Sequence, residues 1–74
     1  MNLHREKMLL RSIAASWGKR RNFSNFKTEE VTLFLKLQSK GFLTVVKESD
    51  ESEWVTLTNE GEIRLYTLNR ELPS

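Results

Sequence analysis

Leu3, Leu9, Leu10, Ile13, Ala14 and Trp17 recur at three- and four-residue spacings, so they fall on one face of a helix predicted over residues 3–17. His4, Met8, Arg11 and Ala15 take the opposite face. Asn2 suits the start of this helix and Gly18 its stop. Residues 18–27 break the period. They are polar and basic, with Phe23 and Phe26 three apart, the spacing of one turn that tacks a loop onto a core. Thr28 is an N-cap candidate, and Glu29 and Glu30 suit the positive end of a second helix. Val31, Phe34 and Leu37 form its apolar stripe, flanked by Leu33 and Leu35, and Ser39-Lys40-Gly41 ends it. Residues 42–48, rich in Thr and Val, predict a strand. Residues 54–58 predict its partner, with Val55 and Leu57 on one face and Trp54 and Thr56 on the other. The acidic stretch 49–53 makes the pair a hairpin. Thr58 or Asn59 caps a last helix over residues 60–72, stopped by Pro73.

The pattern therefore reads helix, short turn, helix, hairpin, helix, an α+β order without repeats or linkers. Its 74 residues hold one small domain, residues 1–74, near the lower size limit for a self-sufficient core. Each apolar face is needed, inside the fold or against a partner. The absence of cysteine excludes a disulfide scaffold, a zinc ribbon and a thiolate nucleophile, and fits a reducing compartment. His4 is the one histidine, so neither an ordinary catalytic triad nor a transition-metal cluster can form, and His4 reads as a surface residue. The hairpin acids lack the register of a calcium loop, and Gly18, Gly41 and Gly61 punctuate elements rather than cradle a phosphate. The chain reads as no enzyme, with no cofactor and no evident small-molecule substrate. No apolar run reaches the roughly 20 residues of a membrane span. His4, Arg5, Glu6 and Lys7 interrupt the start of the chain, which argues against a signal peptide. A soluble, cytoplasmic protein is expected.

Charge adds an asymmetry that the net value of +2 conceals. Residues 1–27 carry seven basic groups against Glu6 alone, an excess of +6. Residues 47–62 carry Lys47 against six acids, an excess of −5. The basic half suits a polyanion, and the acidic patch opposes indiscriminate attraction to one.

Two stretches carry a family resemblance. Leu35-Lys-Leu-Gln-Ser-Lys-Gly-Phe-Leu43 resembles the end of the recognition helix and the following strand in winged-helix regulators. Val55-Thr-Leu-Thr-Asn-Glu-Gly61, followed by Leu65 and Leu68, looks like the second wing strand entering the closing helix of MarR-type and PadR-type regulators. Together they cover roughly half of the chain. The resemblance implies a small winged helix with a two-stranded wing, and a bacterial or phage transcriptional regulator that binds double-stranded DNA. The family's full helix before the recognition helix shrinks here to residues 23–26. Locally, Thr58 can accept from open helix amides, and Gly61 lets the last helix approach the sheet.

Thr28, Thr32, Lys36 and Ser39 share the face of the second helix opposite its apolar stripe, bordered by Glu29 and Lys40. In a winged helix this face enters the major groove, where hydroxyl and ammonium groups meet base edges and phosphates. Lys19, Arg20, Arg21 and Lys27 form a candidate phosphate strip, which Arg5 and Arg11 could extend. The ordinary alternatives are a solvated helix face and a solvated basic loop. Glu48, Asp50, Glu51 and Glu53 would repel phosphate, so they form either a solubilising turn or a wing that docks a basic protein surface, such as the basic half of a second copy. The last helix has a second apolar surface, Ile63 and Tyr66, which with Met8 is the candidate dimer or partner interface; core packing is its rival. Two readings thus compete with the DNA regulator. One is a winged-helix interaction module that modulates a host regulator, polymerase or nuclease through its acidic wing. The other is an RNA-associated module, weakened because Phe23 and Phe26, its stacking candidates, read as buried.

Overall fold

The computed structural model describes residues 3–72 and forms three helices and a three-stranded antiparallel sheet. Helix α1 is Leu3–Ala14. A 3-10 turn, Trp17–Lys19, leads into strand β1, Arg20–Asn22, and a second 3-10 turn, Phe23–Asn25, into helix α2, Thr28–Ser39. Strands β2, Leu43–Ser49, and β3, Ser52–Leu57, form the hairpin, and helix α3, Asn59–Glu71, closes the fold. The strand order is β1-β3-β2. This α+β architecture is broadly consistent with a small winged helix.

The core draws one buried face from each element. Leu9, Leu10 and Ile13 of α1, Phe34 and Leu37 of α2, Leu43, Val55 and Leu68 are buried together. Phe23, Phe26 and Phe34 form a tilted ring cluster with centroids 5.2–5.9 Å apart, so the expected tacking turn exists and holds α2 to β1. Asn22 caps that turn by accepting from Ser24 N at 2.9 Å.

Four expectations are corrected. The sheet has three strands rather than two, because residues 20–22 pair with β3 in the register Arg20↔Thr56, Arg21↔Val55 and Asn22↔Trp54. A three-residue strand is too short for a period in its own sequence. Helix α1 ends at Ala14, so Trp17 leaves the predicted core stripe and is 91% exposed. Lys27, not Thr28, is the N-cap of α2: Lys27 N donates to Glu30 Oε1 at 3.0 Å, and Thr28 is the first helical residue. Finally, Leu35 is exposed rather than flanking the buried stripe, and Leu3 is half out of it. The expected cap Asn2 and stop Pro73 lie outside the described residues.

Two charged residues of α1 are buried. Glu6 Oε2 accepts from Arg64 Nε at 3.0 Å and Arg64 Nη2 at 2.8 Å, tying α1 to α3. Lys7 Nζ donates to the Leu72 carbonyl, a cation at the negative end of α3. The α3 entry follows expectation more closely. Thr58 caps the helix by accepting from Gly61 N at 3.0 Å, and its hydroxyl donates to the Gly41 carbonyl at 2.6 Å. A Cβ on Gly61 would stand 2.0 Å from the Phe42 carbonyl oxygen. Gly61→Ala should therefore cost at least about 3 kcal/mol, since backbone rather than a flexible side chain must move. Thr58→Ala should cost about 1 kcal/mol through the lost cap. Urea unfolding midpoints rank the two, and Gly61→Ala should be the worse.

Candidate nucleic-acid interface

Helix α2 turns Phe34 and Leu37 inward, and this rotation fixes its other side. Thr28, Thr32, Lys36, Ser39 and Lys40 are all exposed, with Glu29 and Leu35 among them. The structure thus brings the five predicted base-facing residues onto one open surface. Thr32 Oγ1 lies 3.5 Å from the Thr28 carbonyl, so its hydroxyl leans back along the helix.

The basic strip divides into two pairs. Alternation along β1 sends Arg21 to the core side, beside Val55, and Arg20 to the outer face, beside Thr56. Arg21 Nη1 donates to Glu30 Oε2 at 2.9 Å and to Ser12 Oγ at 2.9 Å, Arg21 Nη2 reaches the Asn25 carbonyl at 3.3 Å, and the guanidinium lies 4.5 Å from the Phe26 ring centroid. Arg20 lies 4.4 Å over the Trp54 ring and pairs with Glu48. Both arginines are half-buried and occupied by the fold. Lys19 and Lys27 are the exposed members of the strip.

The acidic wing is also divided. Asp50 and Glu51 make the hairpin turn, Glu53 lies exposed in β3 opposite Lys47, and Glu48 folds onto Arg20. The sheet register separates wing from basic turn: Arg20 pairs with Thr56, which pairs with Thr44, whereas Ser49 pairs with Ser52 at the far end. The candidate interface of Ile63, Tyr66 and Met8 does not gather in one place. Ile63 and Tyr66 are 66% and 64% exposed on α3, and Ile63 borders a hollow with Phe42 and Arg64. Met8 borders a different open groove of about 390 Å³, between α1 and α2, with Leu9 and Leu33.

Among the described residues no group of His, Asp and Glu side chains could hold a metal ion, and no helix is long and apolar enough to cross a membrane. Sequence reasoning missed three residues that shape this surface: Glu30 as the partner of Arg21, Trp54 as the platform of Arg20, and Trp17 as an exposed ring. The acid at Glu30 was visible as a helix-start residue, but its pairing depends on the unforeseen strand. No known family model matches the chain, and no curated protein or solved structure resembles it at a significant level.

The hydrogen bonds from Arg21 hold the Glu30 carboxyl below the usual carboxylate range, against the opposing effect of burial. A lowered folded-state pKa means that the pair stabilises the fold above the unfolded carboxylate's pKa. That contribution is lost as pH falls through the folded value. Glu30→Gln should lower the thermal midpoint at neutral pH and flatten this acid limb. Arg21→Lys, which keeps the charge but loses the two-pronged contact, should cost about 1 kcal/mol. Thermal melts across the acid range measure both.

Proposed function

We propose that this chain is a small winged-helix DNA-binding protein, a cytoplasmic transcriptional regulator that reads duplex DNA with the outward face of α2. The observation that carries the reading is the exposed polar row Thr28, Thr32, Lys36, Ser39 and Lys40 on a helix whose opposite side is anchored in the core. A helix of 12 residues anchored in this way can enter a major groove as a rigid body. Lys36 and Lys40 supply positive charge on that row, Lys27 supplies an exposed phosphate contact at its start, and Lys19 a further one in the turn before β1. Arg20 and Arg21 act behind them by fixing β1 and the start of α2. This differs from the simplest expectation for the strip, in which the two arginines carry phosphate binding.

The hydroxyl row distinguishes base reading from charge attraction. Thr32→Ala and Lys36→Ala should change the preference among duplex sequences in a competition assay. The Lys19→Gln/Lys27→Gln pair should weaken all duplexes alike and reduce the salt slope by up to about two counterion units. A parent protein without sequence preference, or without duplex affinity, ends this reading.

The exposure of Asp50, Glu51 and Glu53 favours a second reading, a protein-interaction module that docks through the acidic wing. Neutralising those three acids should abolish partner capture under it. Under the DNA reading the same change should raise duplex affinity, most at low salt. The exposed pair Ile63 and Tyr66 supports self-association through α3. Tyr66→Glu should then shift sedimentation toward the monomer and leave the melting temperature nearly unchanged, because its side chain already faces solvent.

A further inference from the structure

Trp17 is the most exposed large apolar side chain among the described residues, at 91%. Single exposed apolar residues are common, but an indole is costly to leave in water and is seldom left there alone. Its backbone is held, not loose. Ser16 N donates to Ile13 O at 3.2 Å, Ser16 Oγ to Ser12 O at 2.7 Å, and Lys19 N to Ser16 O at 2.8 Å. From the sheet, Thr56 Oγ1 donates to the Lys19 carbonyl at 3.1 Å. Gly18 has φ of 74° and Lys19 has φ of 56°, a left-handed conformation that a lysine adopts only under constraint. A turn fixed at both ends holds the Trp17 backbone in place and projects the ring into solvent. Backbone ordering is therefore not an added cost of binding there.

The surroundings select the partner's charge. Lys19 stands exposed two residues from the ring, residues 7–28 contain no acid, and Glu48, the one wing acid that reaches this end, is paired with Arg20. The acidic turn lies at the opposite end of the sheet. A flat aromatic surface flanked by an exposed lysine matches a base with its phosphate, since any base offers a π-face and the phosphate meets the lysine. A basic or neutral protein surface finds no charge complement there.

We infer that the Trp17 turn is a base-stacking site for unpaired nucleotides of single-stranded DNA, with Lys19 as its phosphate contact. It uses the turn before β1 rather than the outward face of α2, shares only Lys19 with the duplex reading, and does not rest on that face reading duplex. The stack forms by burying one indole face against one base, with no change in the chain's backbone. Helix α1 ends before Trp17, so the ring's removal leaves the core intact.

The test measures binding of labelled oligo(dT) of about 12 nucleotides, an abasic strand of equal length, and a duplex. Parent, Trp17→Ala, Trp17→Phe and Lys19→Gln proteins are compared, with sedimentation of each. The parent should prefer oligo(dT) to the abasic strand. Trp17→Ala should lower oligo(dT) affinity about tenfold or more and leave the abasic strand unchanged, while Trp17→Phe retains most of the binding. Lys19→Gln should weaken both strands. Equal binding of the two strands by the parent, or an unaffected Trp17→Ala, overturns the inference. So does a parent dimer that Trp17→Ala converts to monomer without altering oligo(dT) binding, which would assign the ring to a contact between copies. Duplex affinity lost in Thr32→Ala and Lys36→Ala, with no oligo(dT) preference, would defeat the Trp17 site and leave the α2 reading standing. Oligo(dT) preference without duplex affinity would do the reverse.

Discussion

Arg21 joins three elements through one planar group. Its guanidinium reaches Ser12 on α1, Glu30 on α2 and the Asn25 carbonyl in the turn between, and it covers the Phe26 ring. Glu30 then accepts from Lys27 N as well, so the same carboxylate ends the loop and starts the helix. The rotation of α2 that exposes Thr28, Thr32 and Lys36 depends on this node together with the Phe23, Phe26 and Phe34 cluster. In a chain with so small a core, a half-buried charged pair carries positional information that a few more methyl groups would not. Arginine suits the task because its donors are fixed in a plane and its face can lie on an aromatic ring.

The other end of the molecule is held by close approach instead of charge. Gly61 sits against the Phe42 carbonyl, and Thr58 bonds both to its own helix and to the Gly41 carbonyl. Helix α3 is thereby fixed to the start of β2, while Glu6 with Arg64, and Lys7 with the Leu72 carbonyl, fix it to α1. With both ends of α3 secured by polar contacts, its apolar residues Ile63 and Tyr66 are left facing outward. The exposed surface of α3 follows from how the helix is attached.

Charge segregation along the chain becomes segregation in space through the sheet register. The antiparallel pairing sets Arg20 beside Thr56, level with Thr44 near the start of β2 across the central strand, and sends Asp50 and Glu51 to the opposite end. Glu48, reaching back to Arg20, is the one acid of the wing that crosses this division. The protein thus offers three chemically distinct surfaces: a polar helix face, a basic turn bearing Trp17, and an acidic hairpin tip.

Periodicity and local capping chemistry determined the three long helices and the hairpin and offered Thr58 or Asn59 as the last cap, because each depends on neighbours within a few residues. The outward face of α2 was legible for the same reason: Phe34 and Leu37 name the buried side, and 100° per residue places the rest. Why residue 61 must be glycine depends on the Phe42 carbonyl, which only the tertiary structure brings there. The tertiary structure alone decided strand β1, whose three residues carry no period and exist as a strand only because β3 offers an open edge. That strand then assigned the arginines, sending Arg21 inward to Glu30 and Arg20 outward to Trp54, a choice no local pattern encodes. Trp17 shows the same limit from the other side. Its spacing continued the apolar stripe of α1, but a stripe continues only while the helix does, and the chain left the helix at Ala14 to reach the sheet.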